Sequence, residues 1–257
     1  MNSTDITNVV IIRFSVRFTS FQEFNIHKNE EERTSWFIVR AKFFNSYLYS
    51  CLQHQTKKPN KIYVLVDKGD RNLVEKYLNI DNITIIYCNN NMLNYKQSIL
   101  SDLYKNKPIK NLVISRIDSD DLIHKDYLHN INQQLLLHPK KKLVACSGYR
   151  SDLNIIQSIF HPKSSFISEY INFENNLTDH ELVENLNSCS VYDICHTTDI
   201  SFKERNQNHN AEWMQVILHT NISNKLLTNP HTNIHFSPLV PIDKFWFNNW
   251  TGTNLLR

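Results

Sequence analysis

Short apolar runs rich in β-branched residues alternate with helically spaced segments along the first half of the chain. The runs lie at 8–16 (NVVIIRFSV), 61–67 (KIYVLVD), 82–88 (NITIIYC) and 111–118 (NLVISRID). Apolar residues recur at helical intervals at 34–55, 72–78 and 95–106. Thr34 or Ser35 is placed to cap the first of these helices. This alternation predicts an α/β fold with a mostly parallel, Rossmann-like sheet flanked by helices.

The pattern loosens in the second half of the chain. Residues 124–138 predict a helix that Pro139 ends, and 142–149 with 155–160 predict a β-hairpin pair. The segment 211–219 (AEWMQVILH) has a helical spacing. We therefore expect one domain over 1–257, with a first half of about 1–125 and a smaller mixed half of about 126–257.

Composition narrows the classes of ligand. Three glycines are too few for a glycine-rich phosphate loop, so a nucleotide would be bound by side chains or a metal. The net charge of +3 suits an anionic ligand or a membrane surface but is too small for a typical nucleic-acid binder. The first residues lack a basic region followed by a long apolar stretch, so we expect no secretory signal, and no apolar run reaches 18 residues, so we expect no membrane-spanning helix. Five cysteines without CxxC spacing indicate reduced thiols, so we expect a cytoplasmic protein.

An acidic cluster follows the fourth predicted strand. Asp118, Asp120 and Asp121 lie within four residues, and Arg116 is two positions before the first of them. Because ligands of such sheets bind at the carboxyl ends of the strands, this cluster should share one rim with residues that end other strands. Closely spaced carboxylates suit Mg2+ or Mn2+. The alternative is a solvated acidic turn that caps a helix beginning near Leu122.

Two segments resemble a known family. The run SCLQHQTKKPNKIYVLVDKGD at 50–70, followed by ISRIDSDDLIHKDYL at 114–128, resembles the nucleotide-binding half of GT-A-fold glycosyltransferases. The RIDSDD form, with IIRFSV early and WMQVILH late, is similar to bacterial proteins classed as rhamnosyltransferases. The resemblance covers roughly 8–128. It implies a GT-A-like fold and metal-dependent transfer of a sugar from a nucleoside-diphosphate sugar to a hydroxyl of a bacterial surface glycan, such as capsule or lipopolysaccharide.

The resemblance also implies roles for individual side chains. Asp67 would hydrogen-bond the nucleotide base, and Asp118 would face the ribose or a metal-bound water. Asp120 would ligate the metal, with Asp121 as second ligand or helix cap. Lys96 would contact a phosphate or the base.

An inverting transfer needs a general base to deprotonate the acceptor hydroxyl. In similar enzymes this carboxylate begins a helix about ninety residues beyond the acidic motif, which points to Glu212, with Asp199 as the runner-up. Otherwise Glu212 is a surface residue in the first turn of a helix. His219 would complete the metal shell. The competing histidines are His196, His231 and His235.

Several interpretations stay open at this level. Arg13 and Arg116 are candidate diphosphate ligands, although Arg116 could instead only neutralise the acidic cluster. Trp213, Trp246 and Trp250 either pack in the core or stack on sugar rings of the acceptor, which could be a lipid-linked glycan at the cytoplasmic face of the inner membrane. The rival functions are a sugar-nucleotide nucleotidyltransferase and a non-catalytic module that binds a nucleotide or a glycan.

Overall fold

The computed structural model describes most of the chain. The described residues are 6–16, 29–78, 80–89, 95–103, 105, 109–137, 142–161, 164, 166–172, 205–206, 211–218 and 235–256. The helices are α1 (Glu30–Phe43), α2 (Tyr49–Gln53), α3 (Arg71–Tyr77), α4 (Tyr95–Leu103), α5 (Tyr127–Leu137) and α6 (Lys244–Thr251). None of the described helices is long and apolar enough to cross a membrane.

Two sheets organise these helices. The first sheet contains β1 (Ile6–Arg13), β2 (Lys61–Asp67), β3 (Thr84–Cys88), β4 (Asn111–Asp118), β6 (Lys142–Ala145), β9 (Ile167–Asn172) and β10 (Arg205–Asn206). Its strand order is β10-β6-β9-β4-β1-β2-β3. The block β4-β1-β2-β3 is parallel, whereas β9 runs antiparallel to both β4 and β6. The predicted parallel sheet is therefore confirmed.

The second sheet is smaller and mixed. It contains β5 (Asp121–Ile123), β7 (Ser147–Ser151), β8 (Ile155–Phe160), β11 (Trp213–Val216), β12 (His235–Phe236) and β13 (Val240–Pro241). The order is β12-β8-β7-β11-β5, with β13 also paired to β8. The hairpin of β7 and β8 was expected from the sequence. The run 142–149, which was predicted as the first strand of this hairpin, is divided between the two sheets, because β6 ends at Ala145 and β7 begins at Ser147.

Side chains of β1 alternate between two apolar layers. Val10 and Ile12 belong to the larger core cluster, which includes the helical unit from α1 to α2. Val9 and Ile11 belong to a second cluster that includes α4. Burial on both faces explains why the strand is apolar along most of its length rather than alternating with polar residues.

The first helix starts earlier than the pattern of apolar residues predicts. It begins at Glu30, where the Asn29 side chain accepts a hydrogen bond from the Glu32 N–H, so the expected caps Thr34 and Ser35 lie inside the helix. Three consecutive glutamates fill the first turn, where they interact favourably with the helix dipole. The helix continues through a π-helical segment, Phe44–Leu48, into α2.

Two other predicted helices are wrong. The segment 211–219 contains the strand β11, which pairs with both β5 and β7. The helix expected near Leu122 is instead β5. Both segments are apolar enough for burial on two sides. As strands they pair with strands distant in the sequence, and this pairing satisfies the hydrogen bonds of their backbone N–H and C=O groups.

Trp213 is a core residue, as one of the two readings of the sequence held. It is fully buried, lies stacked against Phe166 at a centroid distance of 4.7 Å, and donates its indole N–H to the Ala145 carbonyl. A Cβ at Gly148 would come within 2.2 Å of the Trp213 ring, so this strand position accepts the indole because it lacks a side chain.

Candidate active site

The rim expected from the sequence is formed by three adjacent parallel strands. Arg13, Asp67 and Asp118 lie at or beside the carboxyl ends of β1, β2 and β4, which are neighbours in the sheet. Arg13 and Asp118 are register partners, and Arg13 Nη2 lies 3.2 Å from Asp118 Oδ1. The structure thus brings together a cation and a carboxylate at the edge where ligands of such sheets bind.

Asp118 contacts a second arginine. Arg116 Nη2 lies 3.4 Å from Asp118 Oδ1. The Arg116 side chain is only 1% exposed, whereas that of Asp118 is 18% exposed. This contact favours the interpretation in which Arg116 balances the charge of the cluster, and it leaves Asp118 as the solvent-facing member of the pair.

Asp120 is paired with an arginine that the sequence interpretation missed. Arg40, from α1, forms an ion pair at 2.5 Å with Asp120 and also donates to the Ser119 hydroxyl. The Arg40 guanidinium lies 5.5 Å from the centroid of the Trp36 ring, close enough for a cation–π contact. In the sequence, the sign of this role was the spacing of Arg40 from Arg33, which is two helical turns and places both side chains on one face of α1.

Asp121 occupies a different environment from its two neighbours. It is 1% exposed, and its Oδ1 has no hydrogen-bond partner among the described residues. Burial raises the pKa of Asp121 well above its ordinary value, Asp120 and Asp118 raise it further, and Arg40 and Arg116 oppose the shift. Its alternative reading as a helix cap is wrong, because Asp121 begins β5.

A row of polar side chains crosses the second sheet from Asp121. Asp121 is the register partner of Gln215, which is the partner of Arg150, and Arg150 in turn faces Gln157. Arg150 Nε donates to Gln215 Oε1 at 2.9 Å. Burial lowers the pKa of Arg150, and the Asp121 carboxylate opposes that shift. Sequence reasoning did not find this row, since its members come from four strands.

Arginines therefore supply much of the counter-charge that the acidic cluster requires. Arg13, Arg40, Arg116 and Arg150 come from β1, α1, β4 and β7. Among the described residues, no group of three or more His, Cys, Asp or Glu side chains is arranged to hold a metal ion. Asp118 and Asp120, whose side chains retain 18% and 10% exposure, fit a hard cation that takes one or two carboxylates and completes its shell with phosphate oxygens.

Asp67 is held by a short turn. Its Oδ1 accepts a hydrogen bond from the Gly69 N–H at 2.8 Å, and its own N–H donates to the Ser15 hydroxyl. The residue is 6% exposed. Lys96 lies in the first turn of α4, and its expected ligand contact stays a prediction. Asp199 and His219 lie outside the described residues.

The described chain does not bring Glu212 to the aspartates. Glu212 immediately precedes β11, whereas Gln215, three residues on, pairs with Asp121. A strand rises about 3.3 Å per residue, so Glu212 lies about 10 Å along β11 from that pair. Its backbone bridges β5 and β7 through hydrogen bonds with His124 and Ser147. The residue is 2% exposed, which excludes the reading as a surface residue in the first turn of a helix.

Glu212 is one of the residues that line a cavity of about 420 Å³. The side chains that line it are His124, Asp126, Asn130, Tyr149, Glu212 and Trp250. The Asn130 amide donates to Glu212 Oε1 at 3.3 Å. We call this space the Glu212 cavity; it combines a buried carboxylate with aromatic walls.

Comparison with known proteins gives structural matches of low sequence identity. No family model matches it, and no curated protein sequence matches it significantly. TarS of S. aureus (the 1–349 structure) is similar at 17% identity over 56% of this chain and 36% of that one, with a TM-score of 0.31. The match thus spans about a third of TarS 1–349.

Two further solved structures are similar in fold. The 4-diphosphocytidyl-2C-methyl-D-erythritol synthase of Anaerococcus prevotii has 13% identity over 86% of this chain and 92% of that one, with a TM-score of 0.37. Mouse xyloside xylosyltransferase 1 has 8% identity over 58% and 54%, with a TM-score of 0.29. These TM-scores are all below 0.4, so the similarity is distant.

Proposed function

We propose that the protein is a glycosyltransferase that moves a sugar from a nucleoside-diphosphate sugar to a hydroxyl of a glycan. The observation that carries the proposal is the rim at the ends of β2, β1 and β4. There Asp67, Arg13 and Asp118 lie on adjacent strands, and Asp120 follows in the next turn. A nucleotide diphosphate needs acceptors for its base and cations for its phosphates, and this rim offers both.

Asp118 and Asp120 would hold a divalent cation, Mn2+ or Mg2+, together with the donor diphosphate. Such an ion neutralises charge that develops on a departing diphosphate. Two carboxylates already paired with arginines make a weak site for a free ion. The cation should therefore bind strongly only when donor phosphates complete its shell.

The transfer itself requires a carboxylate base. The base removes the proton of the acceptor hydroxyl while that oxygen forms a bond to the anomeric carbon and the bond from that carbon to the diphosphate oxygen breaks. Glu212 and Asp199 are the candidates. Inversion at the anomeric carbon follows from a single displacement of this kind. The acceptor is proposed to be a bacterial surface glycan, free or lipid-linked.

Thermal unfolding with nucleoside diphosphates tests the donor site. We expect a nucleoside diphosphate with Mn2+ to raise the midpoint of unfolding, and Mn2+ alone to raise it much less. Asp120→Ala should abolish the Mn2+-dependent part, because it removes one of two accessible carboxylates. Equal shifts in the wild type and Asp120→Ala would contradict the metal assignment.

A matched control and a product assay complete the test. Asp152→Ala is the control, because Asp152 lies in the loop between β7 and β8 and not among the rim residues, and its carboxylate accepts local hydrogen bonds from the N–H groups of Asn154 and Ile155. Incubation with nucleotide sugars should release a nucleoside diphosphate when an acceptor is present. Release of pyrophosphate from a nucleoside triphosphate would indicate the rival nucleotidyltransferase instead.

A further inference from the structure

The walls of the Glu212 cavity match the chemistry of a sugar ring. We propose that this cavity binds one monosaccharide unit of the acceptor glycan, with Glu212, Asn130 and His124 contacting its hydroxyls and the half-buried Tyr149 ring packing against its apolar face. The proposal rests on the proposed function, since it places the acceptor of that reaction. It adds the class of ligand, a neutral sugar, and the residues that would select it.

Donors and acceptors are both present in the cavity. Glu212 and Asp126 offer carboxylate oxygens, and Asn130 offers an amide. His124 Nδ1 accepts a hydrogen bond from the Asp126 N–H at 3.2 Å, so the ring proton resides on Nε2, which is a donor. Burial lowers the pKa of His124, which keeps the ring neutral near pH 7. A sugar hydroxyl donates and accepts at once, so it needs this mixture.

Aromatic rings form one side of the cavity. Trp250 and Tyr149 lie edge to face at 5.9 Å, and His124 is 5.6 Å from the Trp250 ring. Trp250 is 6% exposed, stacks on Trp246 at 6.1 Å and donates its indole N–H to the Ala211 carbonyl at 3.2 Å, so Tyr149, which is half-buried, is the ring that offers a ligand an apolar surface. The C–H face of a pyranose is apolar and packs against surfaces of this kind.

Charge separates this cavity from the rim. The cavity is lined by the carboxylates of Glu212 and Asp126, which repel a phosphate, whereas Arg13 at the rim, whose side chain is 22% exposed, attracts one. The three residues of β5 join the two regions, a span of roughly 10 Å. A phosphorylated donor is therefore directed to the rim and a neutral sugar to the cavity.

Size agrees with this assignment. Cavities that bind small molecules measure roughly 300–1,000 Å³. The Glu212 cavity, at about 420 Å³, lies near the lower end of that range, as expected for one ring rather than an extended chain. The rest of a glycan would lie outside it.

Saturation-transfer NMR with simple glycosides tests the proposal without nucleotide or metal. The probes are the methyl glycosides of glucose, galactose, rhamnose and N-acetylglucosamine, with tetramethylammonium as a cationic probe. We expect at least one glycoside to bind and to change tryptophan fluorescence. Binding of tetramethylammonium alone, or of no probe at all, would overturn the proposal.

Three variants locate the binding. Glu212→Gln and Asn130→Ala should each weaken binding of that glycoside by about tenfold, because the first replaces a charged hydrogen-bond acceptor with a neutral one and the second removes an amide donor. Phe245→Ala, on the solvent-facing side of α6 where Phe245 is 83% exposed, should leave it unchanged. Equal affinity in all three would overturn the proposal, since the sugar would then bind elsewhere.

The nucleotide-dependent thermal shift keeps the two proposals apart. A chain that binds a nucleoside diphosphate with Mn2+ but no glycoside retains the proposed function and loses the cavity assignment. A chain that binds a glycoside through Glu212 but no nucleotide is a glycan-binding module, which overturns the transferase.

Discussion

Asp118, Asp120 and Asp121 are separated by at most three positions, yet their surroundings differ. Asp118 keeps 18% side-chain exposure beside Arg13, and Asp120 keeps 10% beside Arg40. Asp121 is buried at the start of β5. The strand geometry explains the difference, because the chain leaves the first sheet after Asp118 and enters the second at Asp121. Accessibility at the residue scale therefore favours the first two carboxylates as ligands of a cation.

Asp67 combines a local and a proposed functional role. Replacement by alanine removes the acceptor for the Gly69 N–H and should lower the free energy of unfolding by about 1 kcal/mol. We also expect Asp67→Ala to weaken nucleoside diphosphate binding by at least about tenfold, since hydrogen bonds to charged groups contribute roughly 1.5–3 kcal/mol. Titration calorimetry measures the affinity, and urea denaturation measures the stability.

Asp67→Asn separates the two effects. Its amide oxygen can still accept from Gly69 N–H, so its stability should stay close to that of the wild type. If Asp67→Ala loses stability but binds nucleotide as tightly as the wild type, Asp67 has only the structural role.

The element that organises the rim from one side is α1. Arg33 and Arg40 are two helical turns apart and therefore lie on one face, from which they reach Asp70 and Asp120. Arg33 Nε donates to Asp70 Oδ1 at 2.8 Å, and a second bond joins Nη2 to Oδ2. A buried bidentate ion pair thus joins α1 to the turn that follows β2, and a buried monodentate ion pair joins it to the turn that follows β4.

A double-mutant cycle tests the Arg33–Asp70 pair. Arg33→Met or Asp70→Asn alone should lower the free energy of unfolding by about 3–5 kcal/mol, because each disrupts a buried ion pair and leaves its partner poorly compensated. The double variant should lose less than the sum of the two single losses. Urea denaturation of the four proteins gives the coupling, and additive losses would show that the pair does not act as a unit.

At the scale of the whole molecule, a histidine with a lowered pKa, His161, lies at the junction between the two sheets. The His161 N–H donates to the Cys146 carbonyl, which links the end of β8 to the residue between β6 and β7. Burial lowers the pKa of His161 to about 4, and Arg150 contributes to the shift. The folded protein therefore resists protonation of this ring.

Stability should fall with acidification for this reason. An unfolded histidine binds its proton near pH 6.5, whereas the folded one does so only near pH 4, so the loss accumulates as the pH drops from about 6.5 to about 4. His161→Gln cannot titrate and should lose less stability between pH 7 and pH 5. Chemical denaturation at both pH values measures the difference, and parallel losses in the two proteins would contradict the assignment.

The sequence alone determined the parallel half of the fold and the acidic rim. The strands β1 to β4 are continuous apolar runs whose lengths and ends can be read locally, and their parallel order places Arg13, Asp67 and Asp118 at one edge. The helical start at Glu30 and the strand β11 were missed, because capping by Asn29 and pairing with β5 and β7 outweigh the spacing of apolar residues.

Only the tertiary structure decided what surrounds the acidic cluster and the Glu212 carboxylate. Arg40 and Arg150 reach the aspartates from a helix and a strand far away in the chain, and Glu212 meets Trp250 and Asn130 across three elements. The local pattern of apolar residues indicates which side chains are buried and whether they follow a helical or a strand period. It does not indicate which distant element supplies the partner of a charged side chain. The carboxylates were therefore visible in the sequence, while their arginine counter-charges and the cavity beside Glu212 became visible once the strands were paired.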